Sequence, residues 1–78
     1  MRELIEYIAR SLVDDPTQVY VTQRKQGHTT QVELEVSKSD MGRVIGRSGR
    51  VANAMRSLLR VAAARRHKRA NLNIVEPE

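Results

Sequence analysis

Apolar residues recur at helical spacing near the N-terminus, where Leu4, Ile5, Ile8, Ala9 and Leu12 share a stripe and Glu3, Glu6 and Arg10 lie elsewhere on the wheel. That pattern predicts an amphipathic helix. Asp14-Asp15-Pro16 stops it, because the ring of Pro16 pushes Asp15 out of the α region. Residues Gln18 to Lys25 contain Val19-Tyr20-Val21-Thr22, a β-branched and aromatic run that predicts a strand. Gln26-Gly27-His28-Thr29 reads as a hairpin turn. Gln31 to Val36 alternates strictly, placing Val32, Leu34 and Val36 inward and Gln31, Glu33 and Glu35 outward. It is the clearest strand in the chain.

Beyond it, Ser39-Asp40 is placed to cap a short helix through Met41 to Ile45, which the following glycines end. The helical pattern resumes at Arg50, with Val51, Met55, Leu58, Leu59 and Ala62 on one face and Asn53, Arg56, Ser57 and Arg60 on the other. Arg65-Arg66-His67-Lys68-Arg69 ends that helix as a basic connection, and Asn71 to Val75 predicts a last strand with Leu72 and Ile74 inward. The order is α-β-β-α-α-β. The first two strands should form an antiparallel hairpin. The second and third are joined by two helices, so a right-handed crossover should make them parallel neighbours. The expected fold class is α+β: a three-stranded mixed sheet covered on one face by three helices.

With 78 residues and no visible repeat, residues 1–78 are expected to form a single domain with one modest core. The absence of cysteine excludes disulfides and thiolate metal sites. No apolar run is long enough for a transmembrane helix, and no signal-peptide core follows Arg2, so the expected location is the cytoplasm, with no membrane contact. Net charge is +5 and the pI near 10.5. The surplus is concentrated: from Met41 to Val75 there are nine basic residues and no acidic one. Such asymmetry fits a polyanion-binding face, although a solvated helix face carries charge runs too.

The candidate chemistry sits in Val44-Ile45-Gly46-Arg47-Ser48-Gly49-Arg50-Val51. A turn built on Gly46 and Gly49 lets backbone N–H groups approach a ligand closely. The helix that follows opens with unpaired N–H donors and a partial positive charge. Arg47 and Arg50 add full charges suited to phosphates. An isolated GxxG also fits an ordinary interhelical turn. Other motifs fail on spacing: Gly42 and Gly46 enclose three residues where a Walker A loop needs four, and Arg47 stands where its lysine would be. His28 and His67 have no partners at metal-ligand spacing, Ser48 and Ser57 have no evident base, and Glu33 with Glu35 reads as the solvent side of a hairpin. No catalytic residues, metal or cofactor are therefore expected, and the chain is not read as an enzyme.

A βααβ core whose helices are joined by GxxG resembles the KH nucleic-acid-binding motif, here in its type II, bacterial arrangement. Leu4-Ile5-Glu6-Tyr7-Ile8-Ala9, Leu12-Val13-Asp14 before Pro16, and Asp40-Met41-Gly42-Arg43-Val44-Ile45-Gly46 extend the likeness over essentially the whole chain. It resembles the KhpA-like family of small single-KH proteins. The resemblance implies that Gly46, Arg47, Ser48 and Gly49 hold a sugar–phosphate backbone, with Arg47 and Ser48 as direct contacts, and that about four nucleotides are clamped. It implies that Val44 and Ile45 line an apolar floor for bases, to which Val36 and Leu34 add, and that Arg43 and Arg50 flank the site. The variable loop would be roughly Arg65 to Ala70, with Lys68 and Arg69 on a basic rim across the groove. Tyr7 and Tyr20 are expected to be structural, because two tyrosines without Phe or Trp do not make a stacking platform.

The expected function is binding of single-stranded RNA with limited sequence specificity. The resemblance further implies a homodimer, or a heteromer with a larger KhpB (Jag)-type KH protein, acting in post-transcriptional regulation. The alternative is a dimerising protein-interaction adaptor with weak nucleic-acid binding, in which Val44 and Val51 serve a partner.

Overall fold

Ile5 and Ala9 are fully buried and Leu4 and Ile8 half-buried on α1 (Arg2–Leu12), the first helix of a computed structural model that describes residues 1–76 and, of Arg47, only the backbone. Glu6 on its solvent side is flanked by Arg2 at 3.2 Å and Arg10 at 3.5 Å, i,i+4 pairs that support the helix. Pro16 ends the segment as expected, opening a 3-10 turn over Pro16–Gln18. The strands are β1 (Tyr20–Gln26), β2 (Thr29–Glu35) and β3 (Arg69–Val75), in sheet order β1-β2-β3. β1 and β2 pair antiparallel, from Tyr20 opposite Glu35 to Gln26 opposite Thr29. β2 and β3 pair parallel, from Thr29 opposite Arg69 to Glu35 opposite Val75. The two-residue loop Gly27-His28 begins with φ +62° at Gly27, the positive value that a tight hairpin turn of this length demands.

α2 (Met41–Ile45) and α3 (Arg50–Ala64) complete the helical layer. The core gathers Ile5 and Ala9 of α1, Val32 and Leu34 of β2, Val44 of α2, Met55, Leu59 and Ala63 of α3, and Ala70 and Leu72 of β3. The mixed sheet under three helices is the expected fold, with strand limits displaced by up to two residues.

Three local expectations are corrected. Asp40 does not cap α2 with its side chain. Its carboxylate is 2 % exposed and accepts hydrogen bonds from the Asp14 N–H (3.1 Å), the Asp15 N–H (3.2 Å) and the Ser37 hydroxyl (2.8 Å). The residue therefore ties the end of α1 to the start of α2. On α3 the buried stripe is Ala52, Met55, Leu59 and Ala63; Val51 and Ala62 are only half-buried and Leu58 is exposed. The small Ala52 and Ala63 let the helix lie close on the sheet, which turns the larger Leu58 outward. Tyr7 and Tyr20 are 75 % and 54 % exposed, so neither ring is part of the core.

α3 ends with His67 at φ +55°, the His67 N–H donating to the Ala64 carbonyl (3.0 Å) and the Lys68 N–H to the Ala63 carbonyl (2.9 Å). These two bonds form a Schellman motif with histidine at the left-handed position.

Candidate nucleic-acid interface

Gly46 closes α2 at φ +59°, ψ 169°, a conformation open essentially to glycine alone. A Cβ added there would stand 2.8 Å from the Cβ of Val51, so steric contact and backbone conformation both demand glycine. Ser48 (φ +56°) and Gly49 (φ +84°) are both left-handed, and the Gly49 N–H donates to the Gly46 carbonyl at 2.8 Å. The chain thus makes a tight 3-10 turn over Arg47–Gly49 and enters α3 at Arg50. Ser48 and Arg50 are exposed. The side chain of Arg47 lies outside the described structure.

Gly49 gives α3 no side-chain cap, and no acidic residue occupies its first turn. The first N–H groups of a 15-residue helix are therefore left for solvent or a ligand, at the positive end of the helix dipole.

Arg43 and Val44 depart from their expected roles. Val44 has no exposed surface, so it cannot touch a base. Val36 and Leu34, expected on the same floor, are 1 % and 0 % exposed and belong to the core as well. Ile45, the neighbour of Val44 on α2, is 40 % exposed and is the apolar residue this helix presents outward. The guanidinium of Arg43 lies 2.9 Å from Asp14 and 3.4 Å from Asp40, which compensates its charge. Asp40 is itself held below the ordinary carboxylate range, first by the Asp14 N–H, then by the Ser37 hydroxyl, the Asp15 N–H and Arg43, against the opposing effect of burial.

The other cations behave differently. Among the described residues, every ion pair uses the N-terminus, Arg2, Arg10 or Arg43, and no cation beyond position 43 whose side chain is described meets a carboxylate. Arg56 and Arg60 lie on the flank of α3 that overhangs β3, the edge strand of the sheet. A depression runs between these two elements. One part is lined by Arg60, Ala64, Lys68, Arg69, Ala70 and Asn71. It continues over Arg56, Ala70, Asn71 and Leu72. The floor is small and apolar, and the rims are basic.

Lys68 and Arg69 are on this groove, but Arg69 opens β3 instead of riding on the connecting loop; its N–H donates to the His28 carbonyl at 2.9 Å. The turn proper is only Arg65 to Lys68. Arg56 and Arg60 were not among the expected site residues. Their signal is present in the sequence, since each directly follows a buried position, Met55 or Leu59, and so flanks the buried stripe. A second depression, on the α1–α2 side of the loop, is lined by Leu12, Gly42, Arg43, Gly46, Arg50 and Val51.

The described residues contain no group of acidic or histidine side chains able to hold a metal, and no helix long and apolar enough to cross a membrane. Among solved structures, the fold is similar to part of Aquifex aeolicus Era bound to GDP and aluminium fluoride, with TM-score 0.67 and 16 % identity. It is similar also to Era in complex with a GTP analogue and nucleotides 1506–1542 of 16S ribosomal RNA, with TM-score 0.59 and 16 % identity. Each match covers 96 % of this chain and 29 % of the Era chain, and at that identity it speaks for the fold alone. Among curated relatives, the RNA-binding protein KhpA of Halalkalibacterium halodurans is 43 % identical over 97 % of this chain and all of its own length. RNA-binding protein KhpA of Borreliella burgdorferi is 45 % identical over 95 % of this chain and 90 % of its own. The model of the KhpA/KhpB KH domain matches residues 2–74. The chain belongs to the KhpA/KhpB family of KH-domain proteins.

Proposed function

We propose that the protein, as one KH domain, binds single-stranded RNA, holding the sugar–phosphate backbone at the Gly46–Gly49 turn and laying bases along the groove between α3 and β3. One observation carries this reading: the groove between α3 and β3 is rimmed by Arg56, Arg60, Lys68 and Arg69, none of which meets a carboxylate among the described residues, and the same helix begins, uncapped, directly after the Gly46–Gly49 turn. Backbone N–H donors fix phosphates without regard to sequence, and uncompensated arginines add the long-range, salt-dependent attraction. Arg47, Ser48 and Arg50 would serve the phosphates at one end and Lys68 with Arg69 at the other, while Ile45 supplies an apolar wall. Curated relatives carry the name RNA-binding protein. A single KH unit reads few bases, so sequence specificity is limited.

Low affinity from one groove favours pairing, because a second module raises overall binding through effective concentration. Leu58 and Val61, one turn apart on α3, are 51 % and 56 % exposed and give a homodimer, or a heteromer with a larger KhpB (Jag)-type protein, an apolar contact. Cytoplasmic action on transcripts, in post-transcriptional regulation, follows from that reading. The adaptor alternative expects Val44 and Val51 to serve a partner, but Val44 is buried and Val51 packs on the core, so it would have to rest on the same exposed pair.

The test is the double variant Arg47→Asp/Ser48→Asp. Ser48 is exposed and left-handed, a conformation aspartate tolerates, so circular dichroism and melting should match wild type. Gel-shift binding to unstructured RNA should disappear. Retained binding overturns the assignment of the turn.

A further inference from the structure

We infer that Arg56 reads a base with two adjacent acceptors, guanine or cytosine, so that the groove prefers single-stranded RNA carrying a G or a C over RNA of the same length with only A and U; this rests on the groove being the RNA site. Arg56 is half-buried, whereas Arg50, Arg60 and Arg69 are exposed. Its Nε donates to the Leu72 carbonyl at 3.3 Å and its Nη1 to Asn53 Oδ1 at 3.2 Å. The guanidinium is therefore fixed at two points, one on the edge strand and one on its own helix. Its plane is oriented before any ligand arrives. Of its five N–H donors, three remain: one on Nη1 and two on Nη2. Adjacent donors on the two terminal nitrogens match the O6 and N7 acceptors of guanine in a bidentate pair.

The surroundings sharpen the choice. The Leu72 carbonyl would otherwise offer an acceptor in the groove, which is what an adenine amino group seeks. Arg56 occupies it. That stretch of the groove is left rich in donors, which favours bases with two adjacent acceptors, guanine (O6 and N7) and cytosine (O2 and N3), over adenine. Uracil offers O4 but no second acceptor beside it, so it forms one bond where guanine forms two. Position also separates this residue from the phosphate contacts. Arg56 lies seven residues beyond Gly49, about 10 Å along the helix axis, over the apolar floor of Ala70 and Leu72.

The test uses 8-nucleotide RNAs: all uridine, and the same with one central G, A or C. Wild type should bind the G- and C-containing RNAs about tenfold more tightly than the A-containing and all-uridine ones. Arg56→Gln should erase that preference and, with one charge removed from the groove, also weaken oligouridine binding modestly. Arg56→Lys keeps the charge but lacks the planar fork, and it too should lose the preference. It also decides the matter if the glutamine variant fails to fold. Equal binding of all four RNAs by wild type overturns the inference, as does an Arg56→Gln variant that weakens all four equally with a shallower salt slope, since that makes Arg56 a phosphate contact. Failure of wild type to bind any of the RNAs defeats instead the reading of the groove as an RNA site.

Discussion

Gly46 and Val51 are packed so closely that the turn admits no side chain at position 46: a Cβ there would stand 2.8 Å from the Cβ of Val51. Val51 is half-buried and packs on the core, so it cannot retreat freely. The valine thereby holds the shape of the loop from behind. Gly46→Ala should lower stability by about 2–4 kcal/mol, part from the unfavourable backbone conformation and part from the clash. Val51→Ala removes Val51 Cγ2, the nearest of the clashing atoms, and should relieve part of the clash, its own Cβ remaining. A double-mutant cycle by urea denaturation should show a favourable coupling of about 1 kcal/mol between the two substitutions. Strict additivity would show that the contact does not set the loop.

Asp40 should make the fold acid-sensitive. Its carboxyl is held below its ordinary value of 3.8, so the ionised form stabilises the folded state above that pH. The contribution is lost as pH falls through the lowered folded value. Asp40→Asn keeps the shape but weakens acceptance from the Asp14 and Asp15 N–H groups. It should melt about 10 °C lower at pH 7. The gap from wild type should narrow below pH 3.8. A gap constant with pH would mean that the ionised carboxylate has no special role.

His67 occupies a left-handed position at φ +55° that glycine adopts without strain. His67→Gly should stabilise the protein by about 0.5–1 kcal/mol, raising the melting temperature by about 4 °C. Calorimetry reads this directly. A drop would show that the imidazole makes a contact worth more than the relieved strain.

The exposed pair Leu58 and Val61 should govern self-association. Sedimentation equilibrium of wild type should show a dimer, and Leu58→Glu should be a folded monomer by circular dichroism, because a 51 % exposed side chain contributes little to the core; its melting temperature should lose only the concentration-dependent part that dimerisation adds. Val51→Asp should instead lower stability by about 3 kcal/mol, since Val51 packs on the core. A monomeric wild type at high concentration would end the dimer proposal.

The architecture was legible because two periodicities are clean. The alternation of Val32, Leu34 and Val36 and the 3.6-residue stripe of α1 leave little freedom, and the GxxG spacing places the turn. The face of α3 was harder to place. Leu58 and Leu59 are equally apolar, and only the alanines at 52 and 63, small enough to let the helix approach the sheet, decide between them. Adjacent apolar residues of α2 posed the same difficulty, since Val44 and Ile45 lie side by side and one faces inward. Ion pairing across the chain was out of reach altogether. Arg43 meets Asp14 over 29 residues, and nothing local distinguishes it from Arg50.

That last contrast yields a measurable difference between two arginines of the same segment. Arg50 is exposed at the mouth of the turn and pairs with no carboxylate among the described residues, whereas Arg43 is bound to Asp14 and Asp40. Each phosphate contact contributes about 0.7 to the slope of log affinity against log salt on a single strand. Arg50→Gln should therefore reduce the slope by about 0.7 and weaken RNA binding while leaving the melting temperature unchanged. Arg43→Gln should do the opposite: the slope should hardly move, because the charge is already compensated, and the melting temperature should fall as Asp40 loses a partner. Fluorescence anisotropy over a salt series with both variants, alongside thermal melts, separates these roles. Equal slope changes for the two variants would mean that RNA draws Arg43 away from its carboxylates.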